Sequence, residues 1–250
     1  MTKLSNIKIA FFLATLFFLI GLLTLSHYGI NWDTINHLPR GQAYLHYFLT
    51  GKADFIDLEK WSFYHQKPED LLISTDIPLS QVPKRSIYES DGTTFNWFIE
   101  HDGNGHPPVS DILSAVFNQV FFKQLRLIND IDSYRLYSLF LASALLFLIF
   151  IWTSKIYGKI AGLIAALSLA IYPLFWSELH FNNEKDVPET VYWSFMLFTL
   201  WKGVVEKKLK WILLSGLFFG LALGTKFNIL FSAFVIIPWI IVWFLVSNYK

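Results

Sequence analysis

The chain has 250 residues, of which 54% are hydrophobic and only 16% charged, and its formal net charge is +1. Soluble globular proteins carry roughly 25% charged residues, so this composition excludes an ordinary soluble domain and a disordered chain. The small net charge argues against a nucleic-acid-binding protein. The absence of cysteine excludes disulfide scaffolds and cysteine nucleophiles. The composition therefore predicts an integral membrane protein.

Long uncharged apolar runs predict an all-α fold with about six transmembrane helices. The first run is longer than the apolar core of a secretory signal, roughly 7–15 residues, and no small-x-small cleavage site follows it, so we predict an uncleaved helix. The stretch 211–246 is too long for one crossing of a ~30 Å core, and Gly224-Thr225-Lys226 interrupts it. The predicted spans are residues 9–26, 134–151, 160–176, 190–205, 209–224 and 227–246.

The distribution of lysines predicts the orientation of these spans. If the N-terminus lies inside, Glu206 is the only acid of the inner segments. Their lysines are Lys3, Lys8, Lys155, Lys159, Lys202, Lys207, Lys208, Lys210 and Lys250. Short basic loops on the inner side follow the positive-inside rule. The long loop 27–133 and the short loop 177–189 are therefore predicted to lie outside.

A further helix is predicted at residues 109–122, within the long outer loop. Its apolar residues recur at helical spacing on one face: Val109, Ile112, Leu113, Val116, Phe117, Val120 and Phe121. Such a helix reaches only ~21 Å, so we predict that it lies in the membrane interface rather than crossing. His106 precedes it and would lie at the membrane surface, although an exposed loop histidine is the alternative. Residues 52–104 are predicted to be largely irregular.

The first outer loop opens with a polar pattern at helical spacing. A helix would align Asp33, His37, Arg40 and Tyr44 on one face. Pro39 lies within this pattern and predicts a kink or a later helix start. The alternative to a functional role is that Asp33 simply caps a juxtamembrane helix.

The second outer loop and the ends of two spans add further polar residues. Glu184, Lys185 and Asp186 form a polar cluster at the membrane surface, whereas Asp186 with Glu189 three residues later also resembles a capping box. Lys226 is predicted near the hydrocarbon edge, where an ionisable group is by default a functional hypothesis. The alternative to a functional role is that the long Lys226 side chain extends to the interface and keeps its ammonium group in water. Arg135 begins the second span and could grip a phosphate with two hydrogen bonds.

These motifs, in this order, resemble the GT-C class of polytopic glycosyltransferases, specifically the group around protein O-mannosyltransferases and aminoarabinose transferases. The motifs are Asp33-x-x-x-His37-x-x-Arg40-Gly41-x-x-Tyr44-Leu45, His106-Pro107-Pro108, Arg135, Lys185-Asp186-x-Pro188, and Gly220-Leu221-Ala222-Leu223-Gly224-Thr225-Lys226. Two features depart from the family. Many relatives carry a second acid where this chain has Thr34, and family chains are usually longer, so the chain is expected to be the N-terminal part of such an enzyme.

The resemblance implies an inverting transfer of a sugar from a polyprenyl-phosphate donor to a protein, lipid or glycan acceptor, at the outer face of the plasma membrane. It implies that Asp33 is the general base and that Asp186 orients acceptor or sugar. It implies that Arg135, Lys226 and His106 stabilise the negative charge on the leaving phosphate. His37, Arg40, Glu184 and Lys185 are also predicted to contact substrate. No pair of acids or histidines has a spacing diagnostic of a metal site. No cofactor is therefore assigned, and dependence on a divalent metal is left open.

Two other hypotheses stay open on the sequence alone. The first is a non-catalytic truncated homologue or subunit that binds the polyprenyl-phosphate lipid. The second is a transporter-like bundle, which would need a polar path across the membrane. The predicted spans before Lys226 carry almost no ionisable groups at mid-depth, which counts against transport.

Overall fold

The computed structural model describes residues 5–29, 31, 33–52, 106–182 and 184–248, and within this part the chain is helical and contains no strand. The helices are α1 (Asn6–Thr24), α2 (Thr34–Thr50), α3 (Val109–Phe117), α4 (Asp130–Tyr157), α5 (Lys159–Ala170), α6 (Pro173–Phe181), α7 (Asp186–Glu206), α8 (Leu209–Leu223) and α9 (Ala233–Asn248). The predicted all-α membrane fold is confirmed. The predicted irregular segment 52–104 lies outside the described residues except for Lys52, which follows α2.

Three helical segments among the described residues are long and apolar enough to cross a membrane: Asn6–His27, Asp130–Tyr157 and Phe227–Val246. The pair α5 and α6 is bent by 52° and would add a fourth crossing if it forms one broken span. Helix α8 is apolar but shorter, and α7, although 21 residues long, is not among the candidates. The six crossings expected from the sequence therefore stay a prediction.

Helix α4 is the central element of the bundle, because α1, α3, α5 and α7 all pack against it. Its buried residues include Leu139, Leu146 and Phe150, which are at most 2% exposed. Gly21 of α1 allows close packing here, since a Cβ at this position would overlap the Leu139 side chain. The outer faces of α8 and α9 stay apolar and exposed, as expected for a lipid-facing surface.

The helix predicted at 109–122 differs from the expectation in two respects. The α-helix ends at Phe117, and a π-helical turn continues over Asn118–Gln124. Its polar side does not face water, because Ser110, Asp111 and Ser114 are buried within the protein. The apolar spacing located one face correctly, but periodicity alone cannot show that a second helix, α2, covers the polar face.

Helix α2 begins at Thr34 and continues through position 39 to Thr50, so the predicted later start is wrong, whereas the predicted kink stays a prediction. Gly41 lets its backbone approach α3. A Cβ on Gly41 would lie 2.7 Å from the carbonyl carbon of Asp111, and closer still to its oxygen. Backbone atoms cannot move aside as a flexible side chain can, so this contact requires glycine.

We expect Gly41→Ala to destabilise the protein by about 1–3 kcal/mol, the usual cost of overpacking a core. Alanine is otherwise the better helix former, so the sign of this effect depends on the contact with Asp111. The measurement is thermal unfolding in detergent. Gly216→Ala in α8 is the matched control, because nothing lies within 4 Å of its added Cβ. Equal unfolding midpoints for the two variants would contradict the close approach.

Helices α8 and α9 are separated by Gly224-Thr225-Lys226 and a 3₁₀ segment over Phe227–Ser232. The carbonyl of Gly224 accepts a hydrogen bond from the backbone N–H of Val109 at 2.8 Å. The Ser110 and Thr225 hydroxyls lie 3.0 Å apart. This break is thereby fixed to the start of α3, and it places Lys226 beside Asp186 at the start of α7.

Candidate active site

Asp33 occupies the N-cap position of α2, but its side chain makes no capping hydrogen bond. The side chain of Asn31 takes that role, because its Oδ1 accepts the backbone N–H of Thr34 at 2.7 Å. The Asp33 carboxylate instead accepts a hydrogen bond from Lys185 Nζ at 2.6 Å, and its side chain is 42% exposed. The alternative that Asp33 serves only as a helix cap is therefore wrong.

The Lys185 ammonium group lowers the pKa of Asp33 below its ordinary value, chiefly through this hydrogen bond. Partial burial raises the pKa but is outweighed, and the charge of Lys185 adds to the lowering, as do His37 and His106 when they are protonated. Asp33 is therefore ionised at neutral pH and can accept a proton.

Asp186 forms the second acid–lysine pair of the site. It is the first residue of α7 rather than its cap, and no side-chain capping bond is present, so the predicted capping box is wrong. One carboxylate oxygen accepts a hydrogen bond from Lys226 Nζ, and the other accepts one from Asn182 Nδ2 at 2.7 Å. The Asp186 side chain is 36% exposed and that of Lys226 23%.

The two pairs form one continuous polar row, because Lys185 and Asp186 are adjacent in the chain. The order Asp33, Lys185, Asp186, Lys226 alternates in charge along this row. It joins the start of α2, the segment before α7 and the break after α8. The four residues come from three separate segments of the sequence, and the structure brings these segments together.

A buried triad lies behind this row, between α2 and α3. Asp111 accepts hydrogen bonds from Arg40 Nε at 2.7 Å and contacts His37 Nδ1 at 2.9 Å, and Arg40 is only 2% exposed. Arg40 Nη2 also lies 2.9 Å from His37 Nδ1. The ionised Asp111 favours a proton on Nδ1, in which case the contact between Arg40 and His37 is proximity rather than a hydrogen bond. Both predicted contact residues, His37 and Arg40, are therefore held by Asp111, which sequence reasoning missed.

His106 is half-buried, and its ring centroid lies 5.7 Å from that of His37. Burial lowers the pKa of His106 below its ordinary value, and the positive charges of Lys185, His37 and Arg40 lower it further. His106 is therefore mainly neutral at pH 7. It can offer a hydrogen bond to a substrate, but it would not act as a cation there.

Arg135, which was predicted to grip a phosphate, is bound to the protein itself. It donates to the carbonyl oxygens of Leu25 at 3.0 Å and Tyr28 at 2.8 Å, to that of Gly29, and to the carboxylate of Asp132 at 3.2 Å. Its side chain is 4% exposed. These hydrogen bonds hold the segment that follows α1 against α4. They favour a positioning role for Arg135.

Glu184 is fully buried, unlike the neighbouring Lys185 and Asp186. Its Oε1 is hydrogen-bonded to the hydroxyl of Thr34, and its Oε2 has no hydrogen-bond partner among the described residues. Complete burial raises the pKa of Glu184 to about 7, against the opposing effects of Thr34, His37 and its own backbone amide. Thr34, which departs from the pattern that the resemblance led us to expect, is thereby a hydrogen-bond partner of Glu184.

Within the described residues, no group of three or more histidine or acidic side chains could hold a metal ion. No metal-ligand set is therefore assigned.

Comparison with known protein families shows the family to which the chain belongs. The model of the dolichyl-phosphate-mannose-protein mannosyltransferase family matches residues 105–250. The chain belongs to this family of GT-C membrane glycosyltransferases. The matched part includes His106, Lys185, Asp186 and Lys226, whereas Asp33 lies outside it and reaches the matched part through Lys185. Comparisons with curated proteins and with solved structures gave no match.

Proposed function

We propose that the protein transfers a sugar from a polyprenyl-phosphate donor to an acceptor hydroxyl of a protein, lipid or glycan, with inversion at the anomeric carbon. The observation that carries this proposal is the row of two partly exposed carboxylates, Asp33 and Asp186, each paired with a lysine. The acceptor oxygen attacks the anomeric carbon while the bond from that carbon to the phosphate oxygen breaks. The bonding electrons leave with the phosphate, and the acceptor proton moves to a carboxylate.

Asp33 is the proposed general base. It is ionised, it is the more exposed of the two acids, and it requires no helix-capping bond to be broken before it acts. Asp186 is held by Asn182 and Lys226 and is proposed to orient the acceptor or the sugar. General base catalysis of this kind contributes typically 10²–10⁴-fold to a rate.

Lys185 and Lys226 are the proposed phosphate contacts. A donor phosphate carries negative charge, so it would compete with Asp33 and Asp186 for the two ammonium groups. Binding of the donor would thereby release Asp33 from the hydrogen bond that lowers its pKa. The carboxylate would become a stronger base when the donor is in place.

The proposed face of the membrane follows from the charges at the two ends of α7. Asp186 begins this helix, and Glu206 ends it among Lys155, Lys202 and Lys208, which lie 3.4–3.9 Å from its carboxylate. If α7 crosses the membrane, as the predicted span 190–205 requires, its 21 residues give it a length of ~30 Å and place its two ends on opposite faces. The positive-inside rule assigns the lysine-rich end to the cytoplasm. The acid–lysine row is therefore proposed to lie at the outer face of the cell membrane.

We expect Lys226→Met to raise the KM for the lipid donor by about tenfold or more, because it removes a charge-assisted contact worth ~1.5–3 kcal/mol. Lys226→Arg should retain most of the affinity, since it keeps the charge. The measurement is transfer rate against donor concentration in native membranes. Lys208→Met, at the opposite end of α7, is the matched control. A donor KM unchanged in Lys226→Met would exclude this lysine from phosphate binding.

A further inference from the structure

The Thr34 hydroxyl links two side chains at the start of α2. It is hydrogen-bonded to Glu184 Oε1 and lies 2.8 Å from Asn31 Oδ1. The orientation of the Asn31 amide is fixed independently, because Oδ1 also accepts the backbone N–H of Thr34 at 2.7 Å. The atom that faces the hydroxyl is therefore an oxygen and cannot donate.

Counting protons across these contacts gives the charge of Glu184. Two oxygen–oxygen hydrogen bonds, Glu184 to Thr34 and Thr34 to Asn31, require two protons, and a hydroxyl supplies only one. Since Asn31 Oδ1 has none, the second proton must belong to the Glu184 carboxyl group. The arrangement is complete when Glu184 donates to Thr34 and Thr34 donates to Asn31.

The surroundings of Glu184 also disfavour its ionised form. The residue is 0% exposed, and its Oε2 has no hydrogen-bond partner in the described part of the chain. The charged and titratable groups facing it are His37 of α2, Asp111 of α3 and Arg135 of α4. Arg40 and His37 already balance Asp111, while Asp132 balances Arg135. A buried carboxylate with so little compensation would be costly.

We propose that Glu184 is a protonated positioning residue that directs the Asp33 carboxylate toward the substrate. Through Thr34 and Asn31 it fixes the turn that begins α2. Asn31 then caps the helix, and the Asp33 side chain is left to point outward to Lys185. The inference rests on the proposed function, because it assigns Glu184 a role only through Asp33.

Ionisation of Glu184 breaks this arrangement, because it removes a donated proton and leaves a buried charge. A pKa of about 7, above the ordinary 4.5, means that its contribution to stability is fully present below pH 4.5 and is lost as pH rises through 7. If Asp33 is oriented correctly only while Glu184 is protonated, the transfer rate should fall about tenfold between about pH 6 and pH 8. Glutamine is neutral at every pH and keeps a donor toward Thr34.

The test compares Glu184→Gln and Glu184→Ala with the wild type, using transfer rate against pH and unfolding temperature against pH in native-lipid particles. We expect Glu184→Gln to match the wild type within about twofold at low pH and to retain its rate at high pH, where the wild type loses it. Glu184→Ala should be impaired at all pH values. Glu206→Gln, at the other end of α7, is the control and should leave the pH profile unchanged.

Two results would overturn the proposal. One is a Glu184→Gln profile that superimposes on the wild type in both rate and unfolding temperature. The other is a Glu184→Gln variant as impaired as Glu184→Ala at every pH. Failure of the proposed function is distinguishable, because the wild type would then show no transfer from a polyprenyl-phosphate sugar, whereas the unfolding comparison tests the protonation of Glu184 without any transfer.

Discussion

Asp33→Asn is expected to abolish sugar transfer, with a rate loss of about 10²–10⁴-fold, while the amount of protein in the membrane stays unchanged. The amide has nearly the same shape as the carboxylate but cannot take a proton from the acceptor hydroxyl. The fold should persist, because the pair of Asp33 with Lys185 is partly exposed, and such pairs contribute only ~0–1 kcal/mol to stability. The measurement is transfer from a radiolabelled polyprenyl-phosphate sugar in native membranes, with immunoblotting for protein level.

Lys185→Gln is the control that distinguishes the effect of losing the base from the effect of losing the ion pair. It breaks the same 2.6 Å contact but leaves the Asp33 carboxylate in place. We expect it to raise the KM for the donor and to reduce the turnover less than Asp33→Asn does. Normal transfer by Asp33→Asn would refute the assignment of Asp33 as the base. Equal losses in turnover for the two variants would show that the ion pair, rather than the base, is required.

Asp111→Asn is expected to cause the largest loss of stability, about 3–5 kcal/mol. The neutral amide would leave the Arg40 guanidinium, whose side chain is 2% exposed, without a counter-charge in the protein interior. The amide also has one acceptor oxygen where the carboxylate has two, so it cannot accept hydrogen bonds from both Arg40 and His37 as Asp111 does. The measurement is thermal unfolding of the purified protein in detergent.

Two further variants make the Asp111 result specific. Replacing both charges, in Asp111→Leu with Arg40→Met, should recover part of the lost stability, because no unpaired buried charge remains. Asp186→Asn breaks a more exposed pair and should cost only ~0–1 kcal/mol. If Asp111→Asn and Asp186→Asn unfolded at the same temperature, the buried triad could not be a major source of stability.

Much of the fold was predictable from the sequence, because the bilayer restricts a spanning chain to helices or closed barrels. Apolar runs located α1, α4 and α9, and the break at Gly224-Thr225-Lys226 separates α8 from the helix that follows. The family resemblance, confirmed over residues 105–250, rested on short motifs. Hydropathy did not predict the sharp bend between α5 and α6, where Pro173 begins the second helix.

The candidate site was predictable in its residue types but not in its pairings. Three separate segments were singled out from the sequence, and they carry Asp33, the pair Lys185-Asp186, and Lys226. Only tertiary packing determines which lysine meets which acid. Asp111 was missed because a polar side of an interfacial helix is ordinarily assigned to water. The polar residues Ser110, Asp111 and Ser114, together with Gly41 in the preceding helix α2, were the signal for a buried helix contact.

Arg135 and Glu184 show a second limit of sequence reasoning. Both were predicted to contact substrate because they are charged and lie near the outer surface. In the structure Arg135 donates to backbone carbonyls of the segment after α1, and Glu184 is entirely buried. Charge alone does not reveal whether a side chain faces a ligand or the protein, since this depends on burial.

The proposed function is the transfer of a sugar from a lipid-linked phosphate at the outer face of the membrane. The most direct measurement supplies the protein, in sealed native vesicles of defined orientation, with either a labelled polyprenyl-phosphate sugar or the corresponding nucleotide sugar. We predict transfer from the lipid-linked donor alone, and only when the outer face and the acceptor share a compartment. Transfer from the nucleotide sugar, or donor binding with no transfer in either orientation, would contradict the proposed transfer from a lipid-linked donor.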